Sequence, residues 1–314
     1  MRALLVSALL LATPALASED IADQYPDSVL YSKPVEFIPG VFSAIGATAP
    51  PTYENAGHNN NLSFIVTDEG VVVVNGGGSY RLAEALHDEI RRVTEQPVVL
   101  VFDENGQGHA MLGNSYWSDQ GVKIVSHIDA AEEFETYGPG SLRAAQERLK
   151  DRADQTRLVL PDETFADEYI VELGGTRIEA RYLGHAHSPG DIVVWLPDRD
   201  LVISGDMAFH ERLLPIFEHT FTADWIETWD SRFEALGATY VIPGHGHPTN
   251  MDQVRRYTRD YLVFLRGKIG AHLEEGGDLA DAYYVDQSPY AHLDTFEELA
   301  TKNAGRVYEQ MEFE

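Results

Sequence analysis

Residues 184–191 read Gly184-His185-Ala186-His187-Ser188-Pro189-Gly190-Asp191. They follow Thr176 to Tyr182, a segment whose alternating side chains and flanking glycines mark a β-strand. The same arrangement recurs elsewhere. His109 comes after the apolar strand Val98 to Phe102. Asp206, in Ser204-Gly205-Asp206, follows the strand Leu201 to Ser204. His245, in Pro243-Gly244-His245-Gly246-His247, follows the strand Tyr240 to Pro243. Four metal-binding side chains thus each follow a strand end with glycine close by. Loops at strand ends are where packed sheets gather side chains to one point. Neutral imidazole and carboxylate suit zinc or iron at about 2.0–2.2 Å. The 314 residues contain no cysteine, so any metal site must use His, Asp and Glu.

The elements around these loops form a repeating order. Strands are expected at Val41 to Ile45, Leu62 to Thr67 and Val71 to Asn75, with a turn at Asp68-Glu69-Gly70. Ser79 caps a helix to about Thr94, in which Leu82, Leu86 and Ile90 recur every four residues. Further strands are Val98 to Phe102 and Val122 to Ser126, followed by two helices, Asp129 to Thr136 and Ser141 to about Gln155. Two hairpins follow, one around Gly174-Gly175 and one around Pro197-Asp198, and then a helix from Ala223 to Leu236. Hairpins interleaved with single helices, twice over, predict two sheets packed face to face with helices outside, in one domain.

From about Val41 to Pro248 the chain resembles the metallo-β-lactamase superfamily. The resemblance rests on His187-Ser188-Pro189-Gly190-Asp191, Gly205-Asp206 and Pro243-Gly244-His245-Gly246, in that order, with His109-Ala110-Met111-Leu112-Gly113-Asn114 as a fourth piece. It implies a four-layer αββα sandwich over residues 40–250, in the α/β (α+β) class. It also implies a metal-dependent hydrolase with His109, His187, Asp206 and His245 at ligand positions. The ion in such a site lowers the pKa of water to about 7 and polarises the substrate.

The first motif departs from the family pattern. That pattern is His-x-His-x-Asp-His, and this chain has Glu104-Asn105-Gly106-Gln107-Gly108-His109. Glu104 stands where the first His belongs, Gly106 on the second, and Gly108 on the Asp that orients the nucleophile. The strand before the first helix ends in Asn75-Gly76-Gly77 where the family has Asp-x-Gly. One zinc ion is therefore expected rather than two, with iron the alternative. Glu104 is assigned as fourth ligand or general base, and Asp103 is the other acid at hand. His185 and His247 neighbour the ligand set, Asp191 anchors its own loop, and His58 and His210 are candidates to line a pocket. Tyr53, Tyr116, Trp117, Phe209 and Phe217 are candidate pocket walls or core. The substrate is a small molecule carrying an ester, thioester, lactone or lactam-like bond. The competing reading is a weakened or inactive binding or accessory protein, with open space at Gly106 and Gly108 admitting a ligand in place of an ion.

Fifty-one acidic side chains against twenty-three basic ones give a net charge of −28. Such a surface repels nucleic acid and anionic membranes, which excludes both as partners. Met1-Arg2, the apolar Ala3 to Leu11 and the small-x-small Ala15-Leu16-Ala17 read as a secretory signal over residues 1–17. The mature protein is then expected to begin near Ser18 and to be periplasmic or secreted. Residues 18–39 read as an exposed lead-in, and residues 251–314 as a helical extension packed on the same domain.

Overall fold

The computed structural model describes residues 25–314. The signal segment and its cleavage site lie outside the described residues. Strands β1 (Val35–Ile38), β2 (Val41–Ala44), β3 (Leu62–Thr67) and β4 (Gly70–Val74) run antiparallel in sequence order. Helix α1 (Tyr80–Val93) then crosses over to β5 (Val98–Asp103), which pairs parallel with β4. The Ser79 side chain caps α1 by accepting from Leu82 N–H at 3.2 Å. Short helices α2 (Gly108–Met111) and α3 (Asn114–Asp119) lead to β6 (Lys123–His127). Helix α4 (Ile128–Leu149) returns to β7 (Glu163–Phe165), which closes a seven-stranded sheet in sequence order.

The second sheet has five strands in the order β12-β11-β10-β9-β8. They are β8 (Glu168–Leu173), β9 (Thr176–Tyr182), β10 (Ile192–Leu196), β11 (Leu201–Phe209) and β12 (Tyr240–His245), with α5 (Thr222–Thr228) between the last two. The chain ends in α6 (Met251–Tyr257), α7 (Arg259–Glu274), α8 (Leu279–Ala282) and α9 (Phe296–Met311).

Alternation along the strands sorts side chains into three apolar layers. Val72, Val74, Leu100 and Phe102 of the first sheet meet Ile178, Ile192, Val194 and Ile203 of the second. On the first sheet's outer face, Leu82, Leu86 and Ile90 of α1 pack with Trp117 on Val71, Val73 and Val101. Each such fully buried aliphatic side chain contributes roughly 1.5–3 kcal/mol. On the second sheet's outer face, Trp225, Val254, Leu265 and Val307, from α5, α6, α7 and α9, cover Val193, Val202 and Val241. The result is the αββα sandwich, with the C-terminal helices supplying much of its fourth layer. Among the described residues no helix is long and apolar enough to cross a membrane.

Three local expectations change. The segment expected as an exposed lead-in is partly built in: Leu30 and Tyr31 are 1% and 4% exposed, and Val35–Ile38 forms β1. The two helices expected on either side of Gly138-Pro139-Gly140 are the single helix α4. Pro139 lies on its exposed face, where the carbonyl that loses its partner can bond to water. Asp206 does not follow a strand end but sits inside β11, just after Gly205 breaks the register with β12 at a φ of +51°.

His58 illustrates how burial carries into stability. It is fully buried, and its Nδ1 accepts from Tyr31 N–H at 2.9 Å. Burial pushes its imidazole down to about 4. In the unfolded chain it titrates near its ordinary value of about 6.5, so the unfolded state binds the proton first as pH falls. Its contribution is complete above about pH 6.5 and is lost towards pH 4, by roughly 3 kcal/mol at the limit. His58→Asn keeps an acceptor for Tyr31 and removes the titration. Melting followed from about pH 7 to about pH 4.5 is expected to show a shallower acid slope in the variant, and equal slopes would contradict the assignment.

Candidate metal centre

The strand ends bring one set of donors together. Glu104 follows β5, His109 stands on α2, His187 lies in the loop after β9, Asp206 is in β11 and His245 ends β12. Glu104, His109 and Asp206 each offer a ligand atom within 4.8 Å of the other two. His109 Nε2 is 3.3 Å from Glu104 Oε1 and 3.5 Å from Asp206 Oδ2. His245 Nε2 is 3.2 Å from Asp206 Oδ1, and His187 Nδ1 is 3.6 Å from Asp206 Oδ2. Asp206 is thus the hub, and all five side chains except the slightly exposed His109 are nearly inaccessible.

Their protonation follows from these neighbours. Burial alone would raise Asp206, but His245, His109 and His187 around it hold its carboxyl well below the usual range. Glu104 is pushed up by burial and by the Asp206 charge. Burial would lower His109, but Asp206 and Glu104 outweigh it and the imidazole is raised. Burial takes His187 down to about 3 and, with Arg212 beside it, His245 down to about 4. His245 Nδ1 lies against both the Asn59 carbonyl and Arg212 Nη1, and Nε2 faces Asp206 Oδ1 at 3.2 Å. The ionised Asp206 carboxylate, facing nitrogens of three imidazoles, suits a cation between them, a proton or a metal ion.

Three further observations suit a metal. Asp206 Oδ1, Glu104 Oε2 and His187 Nε2 are buried without a hydrogen-bond partner. Gly205 makes room for Glu104, since a Cβ there would lie 1.6 Å from Glu104 Oε2. Gly244 likewise makes room for Asp206, whose Oδ1 would be 2.5 Å from a Cβ. The three donors within reach of one another, the Glu104 and Asp206 carboxylates and the His109 imidazole, are types that zinc or iron accepts, while His245 and His187 approach Asp206 alone.

The supporting residues were mostly not found by sequence reasoning. Asn75, held at a φ of +73° where β4 ends, donates to Glu104 Oε1 at 2.8 Å and accepts from Glu104 N–H at 3.2 Å. Its departure from the family's Asp-x-Gly was the available signal. Gln107 Nε2 lies 3.1 Å from His187 Nδ1, and Asn105 Nδ2 donates to Asp206 Oδ2 at 3.4 Å. The buried Arg212 places Nη1 3.3 Å from His245 Nδ1, and no motif marks it.

Other candidates stand apart from the ligand set. Asp103 accepts from Gly76 N–H at 3.2 Å and Asn114 Nδ2 at 2.6 Å, and burial pushes it up to about 8, so it braces the turn after β4. Asp191 accepts from Ser188 Oγ at 2.9 Å and closes its own loop. His185 donates from Nε2 to the His219 carbonyl at 3.1 Å. His247 pairs with Glu211 at 2.7 Å, half exposed, and His210 Nδ1 donates to the His247 carbonyl at 2.9 Å. His58 is tied to Tyr31 as described. Phe209 stacks on His245 at 5.0 Å and Phe217 meets the His187 ring edge-on at 5.1 Å, so these two do wall the centre. Tyr116 and Trp117 belong to the core under α1, and Tyr53 packs under Arg152 at 4.4 Å.

The space expected at the two motif glycines is not open. A Cβ on Gly106 would meet Ala130 O at 2.4 Å and the Glu133 side chain at 2.7 Å. One on Gly108 would meet Leu112 and Ser141 at 3.2 Å. Helix α4 has closed over both positions, and the glycines are what let it approach.

The family model of the metallo-beta-lactamase superfamily matches residues 111–245, which include His187, Asp206 and His245 and begin just past His109. The structure overlays the metallo-beta-lactamase from Pontibacter korlensis at a TM-score of 0.59 and 19% identity, over 73% of this chain and 98% of that one. The chain has the metallo-β-lactamase fold. The stereoselective inverting sec-alkylsulfatase Pisa1 from Pseudomonas sp. shares this fold at a TM-score of 0.67 and 19% identity, over 90% of this chain and 52% of that one. In sequence, the Metallo-beta-lactamase type 2 of Bacteroides fragilis is 31% identical over 105 residues, covering 32% of this chain and 42% of that protein. Metallo-beta-lactamase IND-1 of Chryseobacterium indologenes is 22% identical over 193 residues, covering 60% and 72%. The chain therefore spans less than half of the Bacteroides relative and more of the other.

Proposed function

We propose that this metallo-β-lactamase-fold protein is an exported hydrolase of small molecules that binds one divalent cation, zinc in the first instance, through His109, Asp206, His245 and Glu104. The observation that carries the reading is the convergence of Glu104, His109 and Asp206 within 4.8 Å, with His245 Nε2 directed at Asp206. The ion, when bound, would acidify a water molecule and polarise the bond to be cut. The chain's own groups supply the rest. Asp206 holds the negative charge at the hub, His245 and His187 stay neutral, and the Asn59 carbonyl and Asn75 fix the orientation of His245 and Glu104. Phe209 and Phe217 pack against the His245 and His187 rings. The side chains lost at Gly106 and Gly108 remove donors from a second ion position, which favours weak or narrow turnover over efficient lactam cleavage. The acidic surface turns nucleic acid and anionic membranes away, and the first 17 residues suit export to the periplasm or beyond.

The close contacts at Gly106 and Gly108 speak against a ligand seated in their place, the form of the weakened or inactive binding-protein alternative that used that space. The test pairs metal analysis with turnover. The purified protein is expected to carry about one ion per chain and to hydrolyse at least one of a lactam, thioester, lactone and sulfate ester panel. His245→Ala is expected to lose the ion and the activity together, and Glu104→Gln to lower metal affinity by about 10- to 100-fold. Metal-free protein that turns nothing over would overturn the proposal.

A further inference from the structure

One buried carboxylate beside the centre has no part in the ligand set. Glu133 projects from α4, with its side chain 8% exposed. Its Oε1 lies 3.4 Å from His219 Nε2. Its Oε2 is buried and lies 2.8 Å from where a Cβ on Gly106 would stand, and the Gly106 N–H and the Ser188 hydroxyl face its carboxyl. Glu133 therefore occupies the volume that a second motif ligand would have taken. The two acids nearest in sequence to that volume are committed elsewhere. Asp103 is bonded to Gly76 N–H and Asn114, and Glu104 is held by Asn75 and turned towards His109. The orienting Asp of the first motif is absent, because Gly108 offers no side-chain atom.

We propose that Glu133 is the acid–base residue of this site, supplied from α4 in place of the motif carboxylate. The inference rests on the hydrolase reading above. In the step it serves, one O–H bond of water breaks as the water oxygen bonds to the electrophilic carbon, and the proton passes to Glu133 Oε2. The resulting carboxylic acid then returns that proton to the departing oxygen, nitrogen or sulfur as its bond to carbon breaks. The titratable groups facing Glu133 are His219 from the loop before α5, His109 from α2, Asp206 from β11 and Asp191 from the loop after β9. Burial pushes its carboxyl up to about 7, where an acid–base group works best near neutral pH.

Glu133→Gln tests this in the metal-loaded protein, with p-nitrophenyl acetate, an acyl thioester, a lactone and a chromogenic cephalosporin as probes. The expected result is unchanged metal content and melting temperature, with kcat/KM down about 100- to 10,000-fold. The rise of kcat/KM with pH near neutrality is expected to vanish, and Glu133→Asp to restore part of the rate. Turnover and pH profile equal to the parent's would overturn the inference and leave the hydrolase reading standing. Loss of the ion in Glu133→Gln would also overturn it, by making Glu133 a ligand. A parent inert towards every probe removes both. If the glutamine variant does not fold, Glu133→Asp decides, since a carboxylate drawn back by one methylene must lower kcat/KM at unchanged metal content.

Discussion

Asp206→Asn is expected to lower metal affinity by at least about 100-fold. One carboxylate oxygen faces His109 at 3.5 Å and His187 at 3.6 Å, and the other faces His245 at 3.2 Å. The amide keeps the shape but turns one of these oxygens into a donor, which cannot coordinate, and removes the negative charge. The effect extends to the metal-free protein. His109, raised by Asp206, and the buried Arg212 both lose their shared counter-charge. Removing one partner from such a buried set costs about 3–5 kcal/mol. Zinc titration calorimetry and melting in chelator read the two effects separately. Affinity within a few-fold of the parent's would show that Asp206 is not the hub.

Gly205→Ala is expected to be nearly as damaging, although it adds a single methyl group. Gly205 has a φ of +51°, in the left-handed region where a side chain is strained, and its new Cβ would lie 1.6 Å from Glu104 Oε2. Backbone strain and overpacking together cost roughly 2–5 kcal/mol. Glu104 cannot simply swing aside, since Asn75 holds its other oxygen. The decisive comparison is a double-mutant cycle by chemical denaturation. Glu104→Ala should recover part of the loss in the Gly205→Ala background, because it removes the overlap with the carboxyl while the Glu104 Cβ stays 2.9 Å away. Strict additivity would mean that the Glu104 side chain does not lie over Gly205.

How much of this was legible in the sequence varies with range. The sandwich was, because short apolar runs bounded by turn residues, such as Ile192–Leu196, and the capped helix after Ser79 carry local signals that the packing reinforces. The gathering of His109, His187, Asp206 and His245 could be expected from glycine-flanked strand ends together with the family resemblance. What failed depended on contacts distant in sequence. Gly138-Pro139-Gly140 looks like a break, yet α4 runs through it because Gly138 lets Phe134 and Leu158 come within 3.2 Å of where its Cβ would be. That unbroken helix carries Glu133 and Ser141 onto Gly106 and Gly108, so positions that looked vacant are filled. Arg212 was equally hidden, since its contact with His245 spans 33 residues. Val35–Ile38 was missed because a four-residue edge strand next to Pro34 and Pro39 shows little period.

The central claim is that these side chains surround a cation. Anomalous diffraction at the zinc edge, on crystals grown with zinc, tests it most directly. The predicted result is a single strong peak among Glu104, His109 Nε2 and Asp206, at about 2.0–2.2 Å from each, with His245 Nε2 drawn in from its place beside Asp206 as a further ligand. A map with no peak there, or with zinc bound only by surface histidines such as His247, would contradict it.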